Sequence, residues 1–262
     1  MKFNGRNVFV SPKARIGKNV RIGDNTAIYD NVEIGDNSII CNDTVLGEPL
    51  AAYYEENSYE NPPTAIGANS LIRSHSIIYA GCSIGAGFSS GHRITIREHC
   101  VIGEHCLVGT LCDVQRRARI GRSCKLYSSV HLAPTSILGD FVFMFPYAIM
   151  TNDPWPPSND LKGGRIGDFS VVAVHAVILP GVEVGKNCLI GANSVVRGRV
   201  PDFSLATGDP AKVVMDIRDY VVLGKGRPYP WMKRFERGMP WEGLGFEAWM
   251  RQNQSEVKAA RT

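Results

Sequence analysis

IREHCVIGEHCLVGTLCDVQRRARIGRSCKLYSSVHLAPTSILGDFVFMFPYAIMT, residues 96–151, decides the fold. Every sixth residue is aliphatic: Ile96, Ile102, Val108, Val114, Ile120, Leu126, Leu132, Leu138, Met144 and Met150. A period of six matches neither an amphipathic helix nor an alternating strand. It is the period of a chain wound around a three-sided prism, with one short strand on each side. Outward from this stretch, the same spacing runs back through Ser90, Ile84, Ile78, Ile72 and Ile66. An earlier block holds Ile16, Ile22, Ile28, Ile34, Ile40 and Leu46, and a later one Ile166, Val172, Ile178, Val184, Ile190 and Val196. Of these 27 positions only Ser90 is not aliphatic. A repeat this regular predicts an all-β parallel β-helix of about nine coils of 18 residues.

The phase of the coil is visible separately. On one face the residue after each aliphatic is glycine: Gly17, Gly35, Gly67, Gly85, Gly103, Gly121, Gly139, Gly167 and Gly185. The third face instead carries Tyr29, Tyr79, Arg97, Gln115, Thr151, Leu179 and Arg197 there. Faces of different chemistry imply different surroundings. The position three after the aliphatic is repeatedly Asn, Gly or His (Asn19, Asn37, His75, Gly81, Gly87, His99, His105, His175). These are the residues that best tolerate positive φ at a sharp corner. Four of the six histidines are thereby assigned to corners.

Two inserts interrupt the coil at the same corner, acidic and Tyr-rich at 47–65 and Pro-rich at 151–165. Loops of this length in a compact domain tend to be functional. The chain is expected to divide into a β-helix domain, 1–215, and a tail, 216–262. The tail's Trp231, Trp241 and Trp249 point to packing, and its residues 245–261 are expected to end in a helix.

Composition narrows the class. At 21% charged and 44% hydrophobic the chain is globular. A net charge of +4 with scattered Lys and Arg gives no nucleic-acid footprint. No apolar run is long enough to span a bilayer, and the amino terminus lacks a signal-peptide pattern, so no membrane partner and a cytoplasmic location are expected. Of seven cysteines, Cys82, Cys100, Cys106, Cys112, Cys124 and Cys188 each lie two residues before a repeat aliphatic. They face inward as core fillers rather than metal ligands, and Cys41 is left as a surface or turn thiol.

The repeated [Ile/Val]-Gly-x4 hexapeptide, over residues 10–215, resembles the left-handed β-helix of the hexapeptide-repeat acyltransferases. The left-handed winding is implied by the resemblance, since spacing does not fix the hand. The motif GDPAKVV at 208–214 is similar to the family's segment after the coil that helps hold coenzyme A. The resemblance implies acetyl-CoA or another short acyl-CoA as co-substrate, no metal, and a homotrimer with clefts between subunits. It places the cofactor along Ala173, Leu179, Gly191, Ala192, Arg197 and Lys212, with amides around Gly191 and Ala192 beside the pantetheine arm. MTNDPWPP at 150–157 resembles the loop of members that N-acetylate nucleotide-linked amino sugars. It contains no histidine, unlike the corresponding loop of the sugar O-acetyltransferases.

Stacked coils place Asp113 directly beneath His131 on the third face, with the insert at Thr151 just above. His131 is the one histidine on an outward strand position apart from His92. It is the candidate general base, with Asp113 orienting it; the alternative is a solvated His–Asp pair. Asn152 and Asp153 are candidates to hold the sugar at the reacting centre, while Tyr79, Arg97, Gln115 and Thr151 are candidate substrate contacts. The expectation is N-acylation of the amine of a nucleoside-diphosphate-linked amino deoxysugar, a small-molecule sugar nucleotide. The alternatives are an O-acetyltransferase, a zinc protein like the γ-class carbonic anhydrases, or a non-catalytic scaffold. The spacing of His99 and His105, on equivalent corners of consecutive faces, argues against zinc.

Overall fold

The computed structural model describes residues 5–56, 58–222, 227–228 and 235–253. The chain divides into two compact units, Met1–Val214 and Met215–Thr262.

The first unit is a parallel β-helix built mostly from two-residue strands. Neighbouring strands along the coil run parallel, and away from the inserts each residue pairs with the one 18 further on, as Ile96 does with Val114 and Val114 with Leu132. The three sheets hold nine, eleven and ten strands on the first, second and third faces. Nine coils therefore close completely, and two sheets run further. The third face begins early, with Phe9–Val10 pairing with Ala27–Ile28. The second face ends late, with Ser204–Gly208 and Ala211–Asp216 added beyond Leu189–Ile190. The winding does not stop at Val200. Val200 bridges to Val184, and Ala206 lies inward and buried opposite Ile190. A four-residue step from Val196 to Val200 breaks the period and hid this extension.

The repeat aliphatics from Ile28 to Val196 form one continuous core, nearly all at 0–3% exposure. Full burial of each contributes roughly 1.5–3 kcal/mol. Ser90 also points inward, and its polarity is used: its Oγ accepts from the Arg73 amide at 2.7 Å. The inward residue two before each aliphatic is small. Where it is cysteine, the thiol donates to a carbonyl of the next coil, as Cys82 does to Arg97 at 3.1 Å and Cys124 to Gly139 at 3.0 Å. All six expected core cysteines are buried and free, and Cys41 is half-buried. Burial pushes the Cys112 thiol up to about 11, so it stays protonated at neutral pH.

The glycine column of the first face answers to steric approach. A Cβ at Gly85 would lie 2.6 Å from the Glu104 amide nitrogen, and one at Gly67 2.4 Å from that of Ala86. The corners, by contrast, demand positive φ whatever the residue. Asn37 and Arg117 both have φ 59°, and Leu111, Phe141 and Tyr147 have 61°, 58° and 62°. The corner amides are bonded from coil to coil, as His105 to the Ala86 carbonyl at 2.8 Å, which holds the left-handed conformation even in unfavourable residues.

In the second unit Trp241, Phe246 and Trp249 pack together with ring centroids 4.9–6.4 Å apart, and Trp241 Nε1 donates to the Phe235 carbonyl at 2.8 Å. The expected terminal helix spans Phe246–Gln252. Trp231 and residues 254–261 lie outside the described residues.

Candidate active site

On the third face, Asp113 pairs in register with His131, and His131 with Ile149. The Asp113 and His131 side chains point outward and are each 39% exposed. Asp113 Oδ2 lies 3.1 Å from His131 Nδ1. This contact leaves Nε2 as the imidazole nitrogen not engaged by Asp113. Gln115, on the far side of Val114 in the same strand, turns its Nε2 back to both Asp113 oxygens, each at 2.9 Å. His131 beside it holds the Asp113 carboxyl below the ordinary aspartate value; partial burial opposes this, and Gln115 adds to it.

One coil below, Arg97 is engaged on two sides. Its Nε and terminal nitrogen donate to Glu98 at 2.8 and 3.3 Å, and its guanidinium lies 4.6 Å from the Tyr79 ring centroid. The first insert reaches this level. Tyr79 pairs with Glu48, whose carboxyl is raised by burial and contacted by the Tyr54 hydroxyl. Buried Asn61 anchors the insert by donating to the Gly47 carbonyl at 2.8 Å and accepting from Tyr59 at 2.6 Å. Tyr53 and Tyr54 remain exposed.

Above His131 the second insert departs from Thr151, whose hydroxyl donates to the Ile178 carbonyl at 3.2 Å. The insert folds back on itself, the Lys162 amide donating to the Asn152 carbonyl at 2.6 Å. Asp153 is occupied in holding the insert's own turn. Its carboxylate accepts from the Trp155 amide, the Ser158 amide and the Ser158 hydroxyl at 3.0, 2.7 and 2.6 Å. Those bonds, the Ser158 hydroxyl foremost, hold its carboxyl below the ordinary value. Among the described residues the Asn152 side chain has no hydrogen-bond partner, which leaves it, rather than Asp153, available to a ligand.

The residues expected along an acyl-CoA divide between two faces. Ala173 and Gly191 follow strands of the second face, Leu179 and Arg197 strands of the third. The Gly191 amide is taken by the Ala206 carbonyl at 2.8 Å. Ala192 occupies the position at which the amides of Lys18, Arg122 and Lys186 donate to an aspartate of the next coil. No such acceptor faces Ala192 among the described residues, so its N–H is open to a ligand. Arg197 is exposed and lies 3.4 Å from Asp209, and Lys212 is exposed on Ala211–Asp216. Two exposed cations and an open amide fit a phosphate-bearing cofactor.

Residues 13–48 and 163–198 match the family described as bacterial transferase hexapeptide (six repeats). The chain belongs to the hexapeptide-repeat acyltransferase family. The matched residues are the two ends of the coil, where corner asparagines are frequent, and the candidate site lies between them. This hexapeptide-repeat protein is 32% identical over 92 residues to a Mycobacterium tuberculosis protein named "Probable acetyltransferase", a match over 34% of this chain and 31% of the relative. It is also 32% identical over 93 residues to galactoside O-acetyltransferase of Escherichia coli, over 32% of this chain and 46% of that protein. The chain thus spans less than half the length of these curated relatives. Among solved structures, the UDP-N-acetylglucosamine acyltransferase of Arabidopsis superposes with a TM-score of 0.65 at 20% identity, over 79% of this chain and 72% of that one, a likeness of fold.

Proposed function

We propose that this hexapeptide-repeat protein transfers acetyl, or another short acyl group, from acyl-CoA to the amine of a nucleoside-diphosphate-linked amino deoxysugar. The observation that carries the reading is the outward His131–Asp113 contact, directly below the insert at Thr151. His131 Nε2 takes the amine proton as the nitrogen attacks the thioester carbonyl. The N–C bond forms, the C–S bond breaks, and the imidazolium returns its proton to the departing thiolate. A backbone N–H stabilises the oxyanion. Arg197, Lys212 and the Ala192 amide hold the cofactor, with Leu179 and Ala173 along its arm. Asn152 orients the sugar, and Arg97 and Tyr79 meet the diphosphate and base. The insert's lack of a histidine supports an amine acceptor. A homotrimer in the cytoplasm, with the cleft between two subunits, completes the reading.

Labelled acetyl-CoA offered with a panel of amino-sugar nucleotides tests the reaction. Replacing His131 by Ala or Asn is expected to lower kcat/KM roughly 10²–10⁴-fold in a folded protein; near-normal activity would remove His131 as the base. A second reading, O-acylation of a sugar hydroxyl, is favoured by the similarity to the Escherichia coli galactoside enzyme. Galactosides in the same screen separate the two. A thermal-shift titration with CoA and acetyl-CoA distinguishes both from a scaffold, which would show no response.

A further inference from the structure

His131 has an oriented partner, but an aspartate does not orient itself. The carboxylate torsion of Asp113 is broad and roughly two-fold. A single contact to His131 leaves that group free to swing and to offer either oxygen or neither. Gln115 removes this freedom. Its Nε2 reaches both Asp113 oxygens at 2.9 Å, fixing the plane of the carboxylate. The amide orientation follows from chemistry, because only the NH₂ end of Gln115 can face an ionised carboxylate; its carbonyl oxygen would repel it.

The anchor for that side chain is rigid. The Gln115 amide donates to the Leu132 carbonyl at 2.9 Å, and its own carbonyl accepts from the Cys100 thiol at 3.2 Å and the Ala118 amide at 3.3 Å. The Asp113 amide donates to the Val130 carbonyl at 3.0 Å. Both backbones are thus fixed by the coils above and below, and only the side-chain torsion of Asp113 remains to be set.

We propose that Gln115 is a positioning residue that locks the Asp113 carboxylate so that its Oδ2 holds His131 in the Nδ1–H tautomer, with Nε2 turned outward to the acceptor amine. The proposal rests on the reading of His131 as the base for its functional meaning, but not for its structural content. Neutral imidazole carries one proton, and a base needs its lone pair on the nitrogen that faces the substrate. A free carboxylate would let the proton move to Nε2 and switch the base off. The charged groups around the pair are few. Arg97, the nearest cation on the same face, is held by Glu98, and the strand above His131 contributes Ile149. Gln115 therefore acts on the substrate through two intervening residues, not by touching it.

The test is ¹⁵N NMR of His131 at alkaline pH in the full-length wild-type, Gln115→Met and Gln115→Ala proteins, alongside steady-state kinetics. Gln115→Met keeps the volume and removes both donors, and thermal melting verifies the fold of each. The expected result is a move of His131 toward the Nε2–H tautomer, with kcat lowered roughly ten-fold and KM for acyl-CoA unchanged. An unaltered tautomer in both variants overturns the positioning role, whatever the kinetics. A shifted tautomer with unchanged kcat supports the positioning role and instead sinks His131 as the base, which the His131→Ala kinetics report independently.

Discussion

Asp113 and His131 stand on adjacent coils in register, with Asp113 Oδ2 3.1 Å from His131 Nδ1. The carboxyl is held below its ordinary value by that contact. A depressed aspartate pKa contributes stability that is fully present above the unfolded value, about 3.9, and is lost as pH falls through the folded value. The pair is partly exposed, so the contribution is under about 1 kcal/mol after screening. Asp113→Asn is expected to melt slightly below wild type at neutral pH, with the gap closing below about pH 4. Melting curves across that range check the sign; a gap that widens toward acid would contradict it.

The glycine column offers a paired comparison. Gly85→Ala drives a Cβ against the Glu104 backbone at 2.6 Å, where neither coil can yield. It should cost about 2–3 kcal/mol. Gly198→Ala places its Cβ in open space. That change should alter stability by less than about 0.5 kcal/mol. Urea unfolding of the two variants measures the difference.

Leu111 is a corner residue with φ 61° and is 55% exposed, so its side chain gains little from packing. An L-residue other than Asn or Asp pays roughly 1 kcal/mol in that conformation. Leu111→Asn should raise the urea midpoint, and Leu111→Val, β-branched, should lower it.

Native protein treated with a thiol reagent at neutral pH should react slowly at Cys41 and not at the six inward cysteines, which are buried, with thiols such as those of Cys82 and Cys124 bonded to carbonyls. Burial raises the Cys41 pKa, with Arg73 partly offsetting it, which keeps even that reaction slow. All seven should react once the protein is denatured. Rapid modification of Cys112 in the native state would contradict its placement.

The coil and its phase were legible because a two-residue strand leaves one obligatory inward position, and 26 of 27 such positions are aliphatic. The position of Asp113 beneath His131 followed from that phase alone. The final turn escaped because Val196 to Val200 is a step of four. The corner rule of Asn, Gly and His described tolerance and not requirement, since Leu111, Phe141 and Tyr147 take the same conformation. Inside the site, the period located residues on the outward face without saying whom they touch. Gln115 and Asp153 look like ligand-facing groups in the sequence, yet one is turned to Asp113 and the other to Trp155 and Ser158. Side-chain direction at an outward position depends on neighbours that the period does not encode.

The register of 18 residues also makes the third face a ruler. Tyr79 and His131 are separated by three steps, through Thr95 and Asp113. That is roughly 14 Å at the spacing of stacked strands. The length changes only in whole steps of about 4.8 Å, because a partial coil would turn every aliphatic away from the core. Removing residues 80–97 as a block should shorten the span by one step and leave the winding intact. The coil therefore fixes in integers how long a molecule can bridge the aromatic end of the face and its histidine.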